Sequence, residues 1–204
     1  MIEAEQTTFN SRLRKRLAHS PWLATCGGSL LALLLTGAIL RWMGRLPWCA
    51  CEKPNLWVQD VLSSHLSQHL FDPYSVTHLL HGFLLCGFLA LVASKYVWQL
   101  RLCMAILLEC GWEMLENSKM VIDRYRTATA AFGYKGDSIA NSLGDVISCT
   151  LGFLVARYLG LKRGLIVFLL TEIVLLFWIK DGLILNIIML ICPIEAIKSW
   201  QLGH

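Results

Sequence analysis

Residues 22–44 form a largely apolar run whose single charge is Arg41 near its end, and the run is long enough to cross the hydrocarbon core of a bilayer. Two similar runs follow, 74–94 and the slightly shorter 164–179. The whole chain is 56% hydrophobic and 16% charged, with a mean hydropathy of +0.56, outside the range of ordinary soluble domains. These features predict an all-α fold: a small polytopic bundle of transmembrane helices forming one domain over 22–204. The net charge of +4 comes from basic residues flanking the apolar runs. No basic stripe with interleaved aromatics is present, so nucleic acid is not an expected partner and the lipid bilayer is.

Arg12, Arg14, Lys15 and Arg16 precede the first apolar run and imitate a signal peptide. The run is too long for one, and no small-x-small cleavage site follows it. Residues 1–21 are therefore expected to be a basic cytoplasmic tail ahead of an uncleaved signal-anchor. Of the eight cysteines, six lie in apolar segments, where a free Cys acts as a small hydrophobe. Cys49 and Cys51 lie outside the first span in a polar stretch, and a bond between them would close a small, strained ring. That pair is a candidate for redox or metal chemistry.

About six helical spans fit the pattern: 22–44, 74–94, 100–117, 138–159, 163–179 and 183–198. Asp137 and Ser138 are suited to cap the fourth, and Pro193 should kink the sixth. Basic residues in the tail and in two short loops (Lys95 and Arg101; Arg157, Lys162 and Arg163) put both termini in the cytoplasm. Two outer segments result. The first, 45–73, carries Val58, Leu62, Leu66 and Leu70 at four-residue spacing, which predicts a short amphipathic helix on the outer membrane surface. His65 and His69 there have metal-ligand spacing, which on a surface helix normally means two solvated imidazoles.

The spans also hold ionisable residues, and these point to function. A charged group in hydrocarbon costs on the order of 2.5–3.5 kcal/mol even on the mildest scale. Glu109, Glu113 and Glu116 fall at i, i+4 and i+7, and Asn141 and Asp145 at i and i+4, so each set shares one helix face. Depth brings the sets together. At 1.5 Å per residue, Glu113 and Glu109 lie about 6 and 12 Å below Asn117, matching Asn141 and Asp145 below Asp137. His78 and His81 enter from the same surface. Taken singly, a histidine in a bundle is more often a packed hydrogen-bonding group than a ligand, and Asn186 resembles interhelical glue. Together, these imidazoles and carboxylates exceed what helix packing needs. Clustered carboxylates repel, so they must be protonated, paired with Arg124 or Arg126, or neutralised by a cation.

The acid/base candidates are Glu109, Glu113, Asp145 and His81. Ligand-contact candidates are Arg124, Arg126, Trp112, Asn141, Asp137, Glu116 and Asn117. His78, His81, Glu113 and Asp145 could hold a divalent metal, zinc, manganese or iron by donor type.

Several of these motifs carry a resemblance. Ser67-Gln68-His69 with Asp72-Pro73-Tyr74, His78-x-x-His81-Gly82, Glu109-x-x-Trp112-Glu113-x-x-Glu116-Asn117-Ser118, Arg124-Tyr125-Arg126 and Tyr134-x-Gly136-Asp137-Ser138-x-x-Asn141-Ser142 resemble an uncharacterised family of bacterial multi-pass membrane proteins. The likeness spans roughly residues 42–202 and implies an inner-membrane location with no established activity. Asp137-x-x-x-Asn141-x-x-Gly144 is also distantly similar to the VanZ-like proteins of teicoplanin resistance, which implies envelope chemistry near lipids. The expected function is binding or processing of a polar-headed lipid or lipid-linked envelope compound at an outer-leaflet site. The competing classes are a small-ion or metal transporter, and a structural or assembly protein whose polar cluster is only interhelical cement.

Overall fold

The computed structural model describes residues 21–129 and 133–203, so the expected tail lies outside the described residues apart from Pro21. Seven helices are seen among them: α1 Pro21–Trp42, α2 Ser75–Val92, α3 Trp98–Glu116, α4 Lys119–Ala128, α5 Ile139–Ile179, α6 Leu183–Ile191 and α7 Glu195–Leu202. The fold is all-α; the only strand-like pairing among the described residues is one bridge between Trp57 and Phe71.

Local chemistry sets the helix boundaries. Pro21 opens α1, where its missing N–H costs nothing. The Ser118 hydroxyl accepts from Val121 N to start α4, and that of Ser138 accepts from Asn141 N to start α5. Within α5 the backbone leaves the helix at Gly160 (φ 75, ψ 171), a conformation that a side chain would oppose. Beyond this break the chain packs back on α2: Phe168, Leu175 and Leu183 cluster with Leu80 and Phe83. A second cluster joins Leu89 of α2 and Ala93 just past its end, Ala105 and Ile106 of α3, and Val146 and Phe153 of α5.

α2 meets α5 at close range. A Cβ at Gly82 would collide with the Cys149 carbonyl, and one at Gly152 with the Leu79 carbonyl. Lipid gives no hydrophobic drive for helices to associate, so backbone approach through small residues supplies the packing energy instead. Polar ties add to it. Thr25 Oγ1 on α1 donates to Gln99 O at 2.9 Å at the start of α3.

α1 and α2 are long and apolar enough to cross a membrane; α5 and α6, bent by 73° at their junction, pass the same test as one broken span. That makes two or three candidate spans, against the six expected. The first two agree with prediction to within about two residues. α3 forms over 98–116 but carries Arg101 and three glutamates, too many charges to qualify by composition. The sixth expected span is split, because Pro193 falls between α6 and α7 and leaves helices of 9 and 8 residues. Glu172 caps α6 at the bend by accepting from Leu183 N and Ile184 N at 2.9 and 3.1 Å. Leu30, Leu31, Leu34 and Leu35 of α1 are exposed, as are Leu165, Ile166, Leu169 and Ile173 of α5. So much bare apolar surface, together with the candidate spans, points to a membrane location.

The amphipathic surface helix over 45–73 does not form. Residues 60–68 run through successive tight turns, with Ser63 N, Leu66 N and Gln68 N donating to carbonyls three residues back. Side chains capture the amides that a helix would need. Asp60 accepts from Leu62 N, Ser63 Oγ from His65 N, and Asp72 from Ser67 N and Tyr74 N. Leu62, part of the predicted apolar stripe, is 84% exposed.

Candidate functional site

Three helices aim polar side chains at one place. From α2, His78 sets Nδ1 2.6 Å from Glu109 Oε1 on α3, and His81 sets Nδ1 2.9 Å from the same oxygen. With Nδ1 protonated, both imidazoles donate to one carboxylate, which fixes both rings. The Trp112 ring stands edge-on to His81, with centroids 5.8 Å apart, and both side chains line the cavity described below.

Around His78 the carboxylates converge. Glu113 Oε1 lies 3.3 Å from its Nδ1, while Asp145 Oδ2 and Glu116 Oε2 lie 3.9 and 4.0 Å from its Nε2. All are buried, Glu113 completely (0% exposed). Among the described residues, neither Glu113 oxygen receives a hydrogen bond, nor do Glu116 Oε2, Asp145 Oδ1 or the Asn141 amide nitrogen find a hydrogen-bond partner. Buried polar atoms are rarely left unpaired, so these oxygens are free to take a proton, a water or a cation. Three donor sets have ligand atoms within 4.8 Å of one another: His78/His81/Glu109, His78/Glu113/Asp145 and Glu113/Glu116/Asp137. The four residues expected from sequence to hold a metal fall into two of these sets, His81 with Glu109 in one and Glu113 with Asp145 in the other, and His78 belongs to both.

Asp137 and Asn117 close the upper edge. Asn117 Nδ2 donates to Asp137 Oδ2 at 2.8 Å, and Asp137 N donates back to Asn117 Oδ1 at 2.7 Å. Tyr134 OH donates to the other Asp137 oxygen at 2.9 Å. Burial, reinforced by the Glu116 carboxylate, pushes the Asp137 carboxyl up to about 7, with the Tyr134 and Asn117 hydrogen bonds opposing the rise. Asn117, expected to contact a ligand, is engaged in holding this loop to α3.

A cavity of about 1070 Å³ opens beside the cluster. His78, His81, Glu109 and Asp145 line it, and so do Leu84, Leu85 and Leu108. Glu113 and Asn141 are buried and are not among the lining residues. Tyr74, Tyr125, Tyr134 and Asp181 also line it and were not among the candidates named from sequence. Tyr74 OH donates to Asp181 Oδ2 at 3.2 Å and Tyr125 OH to Asn186 Oδ1 at 3.1 Å, so they form a hydrogen-bonded wall joining α4, α6 and the loops. Tyr134, three residues before Asp137, was the one with a local signal.

Arg124 and Arg126 are not among the cavity residues. Arg124 donates to Leu190 O and Ile191 O at the carboxyl end of α6, at 2.8 and 3.2 Å. Arg126 donates to Tyr134 O, lies 3.9 Å from Asp123, and borders a separate depression with Arg45, Lys119 and Lys135. Both guanidiniums serve loop and helix ends, which explains why they do not neutralise the carboxylates.

Residues 40–203 match the family model described as Protein of unknown function (DUF2585). A UPF0314 protein of Rhizobium etli is 43% identical over 189 residues, covering 92% of this chain and 95% of the relative. A UPF0314 protein of Agrobacterium fabrum is 42% identical over 201 residues, covering 98% and 97%. One from Sphingopyxis alaskensis is 41% identical over 187 residues, covering 92% and 97%. No solved structure matches the chain. The distant likeness to VanZ-like proteins finds no support in these comparisons. The chain therefore belongs to the DUF2585 (UPF0314) family of bacterial proteins, whose function is not established.

Proposed function

We propose that this protein binds and processes a polar-headed lipid, or a lipid-linked envelope compound, in the cavity beside His78. One observation carries the reading: a single cavity is lined both by acidic and imidazole groups and by leucines, the combination an amphiphile requires. The polar head would meet His78, His81 and Glu109, while the chain would leave along Leu84, Leu85 and Leu108 toward lipid. The protein would sit in the bacterial inner membrane with both termini cytoplasmic and the cavity in the outer leaflet.

His78, Glu113 and Asp145 fit a divalent cation by donor chemistry and by the unpaired Glu113 and Asp145 oxygens. Glu109 suits the supporting role: a metal-bound imidazole commonly donates its other N–H to a carboxylate, as His78 Nδ1 is placed to do. A cation there would supply a Lewis acid for a head-group oxygen. The Glu109-held His81 is the candidate to take or give a proton at the reacting atom.

Transport of a small ion fits less well. Leu89, Ala105, Ile106 and Phe153 pack together in a buried apolar cluster between the same helices, where a conducting path would need polar groups. The test is reconstitution into proteoliposomes made from bacterial membrane lipids, supplied in turn with Mg²⁺, Mn²⁺ and Zn²⁺. Mass spectrometry should find a lipid with an altered head group for the wild type and none for Glu113→Gln. An unchanged lipid profile with every cation, alongside uptake of one of them, would replace this reading with a transporter.

A further inference from the structure

Between α1 and α2 the chain builds a second cluster, made of different donors. Cys49 and Cys51 form a Cys-x-Cys pair, and His65 and His69 a His-x3-His pair. Cys49 Sγ lies 3.2 Å from His65 Nδ1, and Cys51 Sγ lies 3.5 Å from His69 Nε2. All four donor atoms fall within 4.8 Å of one another. A tetrahedral zinc ion, with Zn–S near 2.3 Å and Zn–N near 2.0 Å, sets neighbouring sulfur and nitrogen ligands about 3.5 Å apart. The cluster already has nearly those dimensions.

The backbone is bent to achieve this. Only three non-glycine residues among those described adopt positive φ, and two of them flank the ligands: Glu52 (φ 57) directly after Cys51, and Ser67 (φ 58) midway between the histidines. Left-handed backbone at such residues persists only where the surroundings over-determine it. Cys49 and His69 are buried, and the Trp48 ring packs edge-on against His69 with centroids 5.6 Å apart. His65 and Cys51 are more open, which leaves an ion a way in.

We propose that Cys49, Cys51, His65 and His69 form a tetrahedral zinc site that clips the segment between α1 and α2. Binding releases the two thiol protons and uses His65 through Nδ1 and His69 through Nε2. Cys49, Cys51 and His65 also line the large cavity, so the clip secures part of its wall. Ser67 and Gln68 link the same segment to the Gly136–Ser138 loop: Ser138 N donates to Ser67 O at 2.9 Å, and Gln68 Nε2 to Gly136 O at 2.8 Å. Zinc here would therefore brace the loop that carries Asp137. The site stands on its own residues and does not depend on what the cavity binds.

The test uses the full chain in detergent under reducing conditions, stripped by chelator and titrated with Co²⁺. One equivalent should give a thiolate-to-cobalt charge-transfer band and the strong visible bands of tetrahedral cobalt, both abolished by Zn²⁺. Cys49→Ser with Cys51→Ser should remove the charge-transfer band, whereas Glu113→Gln with Asp145→Asn should keep it. His65→Ala, at an exposed position, covers the case in which the cysteine variant does not fold. It should weaken zinc binding by more than about tenfold. Absence of a thiolate band in the wild type, a band that survives loss of both cysteines, or unchanged zinc affinity in His65→Ala would each overturn the proposal. So would a Cys49–Cys51 disulfide that forms in the purified protein and is not prevented by zinc.

Discussion

His78 and Glu109, 31 residues apart in the chain, meet between α2 and α3 with Nδ1 and Oε1 separated by 2.6 Å. Glu109 also receives His81 at 2.9 Å, so a single carboxylate orients both imidazoles of the cavity wall. Glu109→Ala leaves two imidazole donors without their acceptor, at a cost of about 1–3 kcal/mol for each buried group. Thermal unfolding in detergent should show a clear drop for Glu109→Ala and a smaller one for Glu109→Gln, which retains an acceptor. Lipid conversion should be lost in both. Equal melting temperatures for wild type and Glu109→Ala would mean that the pairing contributes nothing.

Contact between α2 and α5 depends on two missing side chains. Gly82→Ala and Gly152→Ala each push a methyl group into a backbone carbonyl of the opposing helix. Neither carbonyl can retreat without moving its helix, so the cost should be at the upper end of the usual 1–3 kcal/mol for overpacking, or about 3 kcal/mol. Gly87→Ala, with open space around its Cβ, is the control and should melt like wild type.

Asp137 links stability to pH. Its carboxyl titrates near 7 in the folded protein, above the ordinary 3.8, so the folded state binds the extra proton. The stability this group contributes is complete below about pH 4 and is lost as pH rises through about 7. Unfolding measured between about pH 5 and about pH 8 should show decreasing stability, with a flatter profile for Asp137→Asn. A profile that rises over that window and is unaltered by Asp137→Asn would contradict the assignment.

Arg124 separates a structural role from a ligand-binding one. Its guanidinium donates to Leu190 O and Ile191 O, the carbonyls at the end of α6, where a cation is favoured. Arg124→Ala should cost about 1 kcal/mol in stability and leave cavity ligand binding unaltered. Lost binding with unchanged melting would restore the ligand-contact role expected from sequence.

Much of the architecture was legible because it follows from periodicity. The apolar runs became α1 and α2, and the i, i+4, i+7 spacing of Glu109, Glu113 and Glu116 placed them on the face that meets His78. What could not be read arises from interactions that pattern does not encode. Val58, Leu62, Leu66 and Leu70 have helical spacing, yet Asp60, Ser63 and Asp72 take the amides a helix would use. Tyr74 and Tyr125 reach the cavity wall through Asp181 and Asn186, partners more than 60 residues away. Arg124 and Arg126 had the right charge for the carboxylates, but backbone carbonyls claimed them first. The Cys49/Cys51 and His65/His69 pairs were each visible, and only the turns around Glu52 and Ser67 reveal that they face one another.

The most direct measurement is mass spectrometry of the amphiphiles that stay with the full-length protein when it is extracted in native nanodiscs. The wild type should carry one polar-headed species enriched over the surrounding membrane, and Glu113→Gln with Asp145→Asn should lose that enrichment while remaining folded. Identical, membrane-average lipid in both samples would contradict a ligand site and leave His78, Glu109, Glu113 and Asp145 as packing between helices.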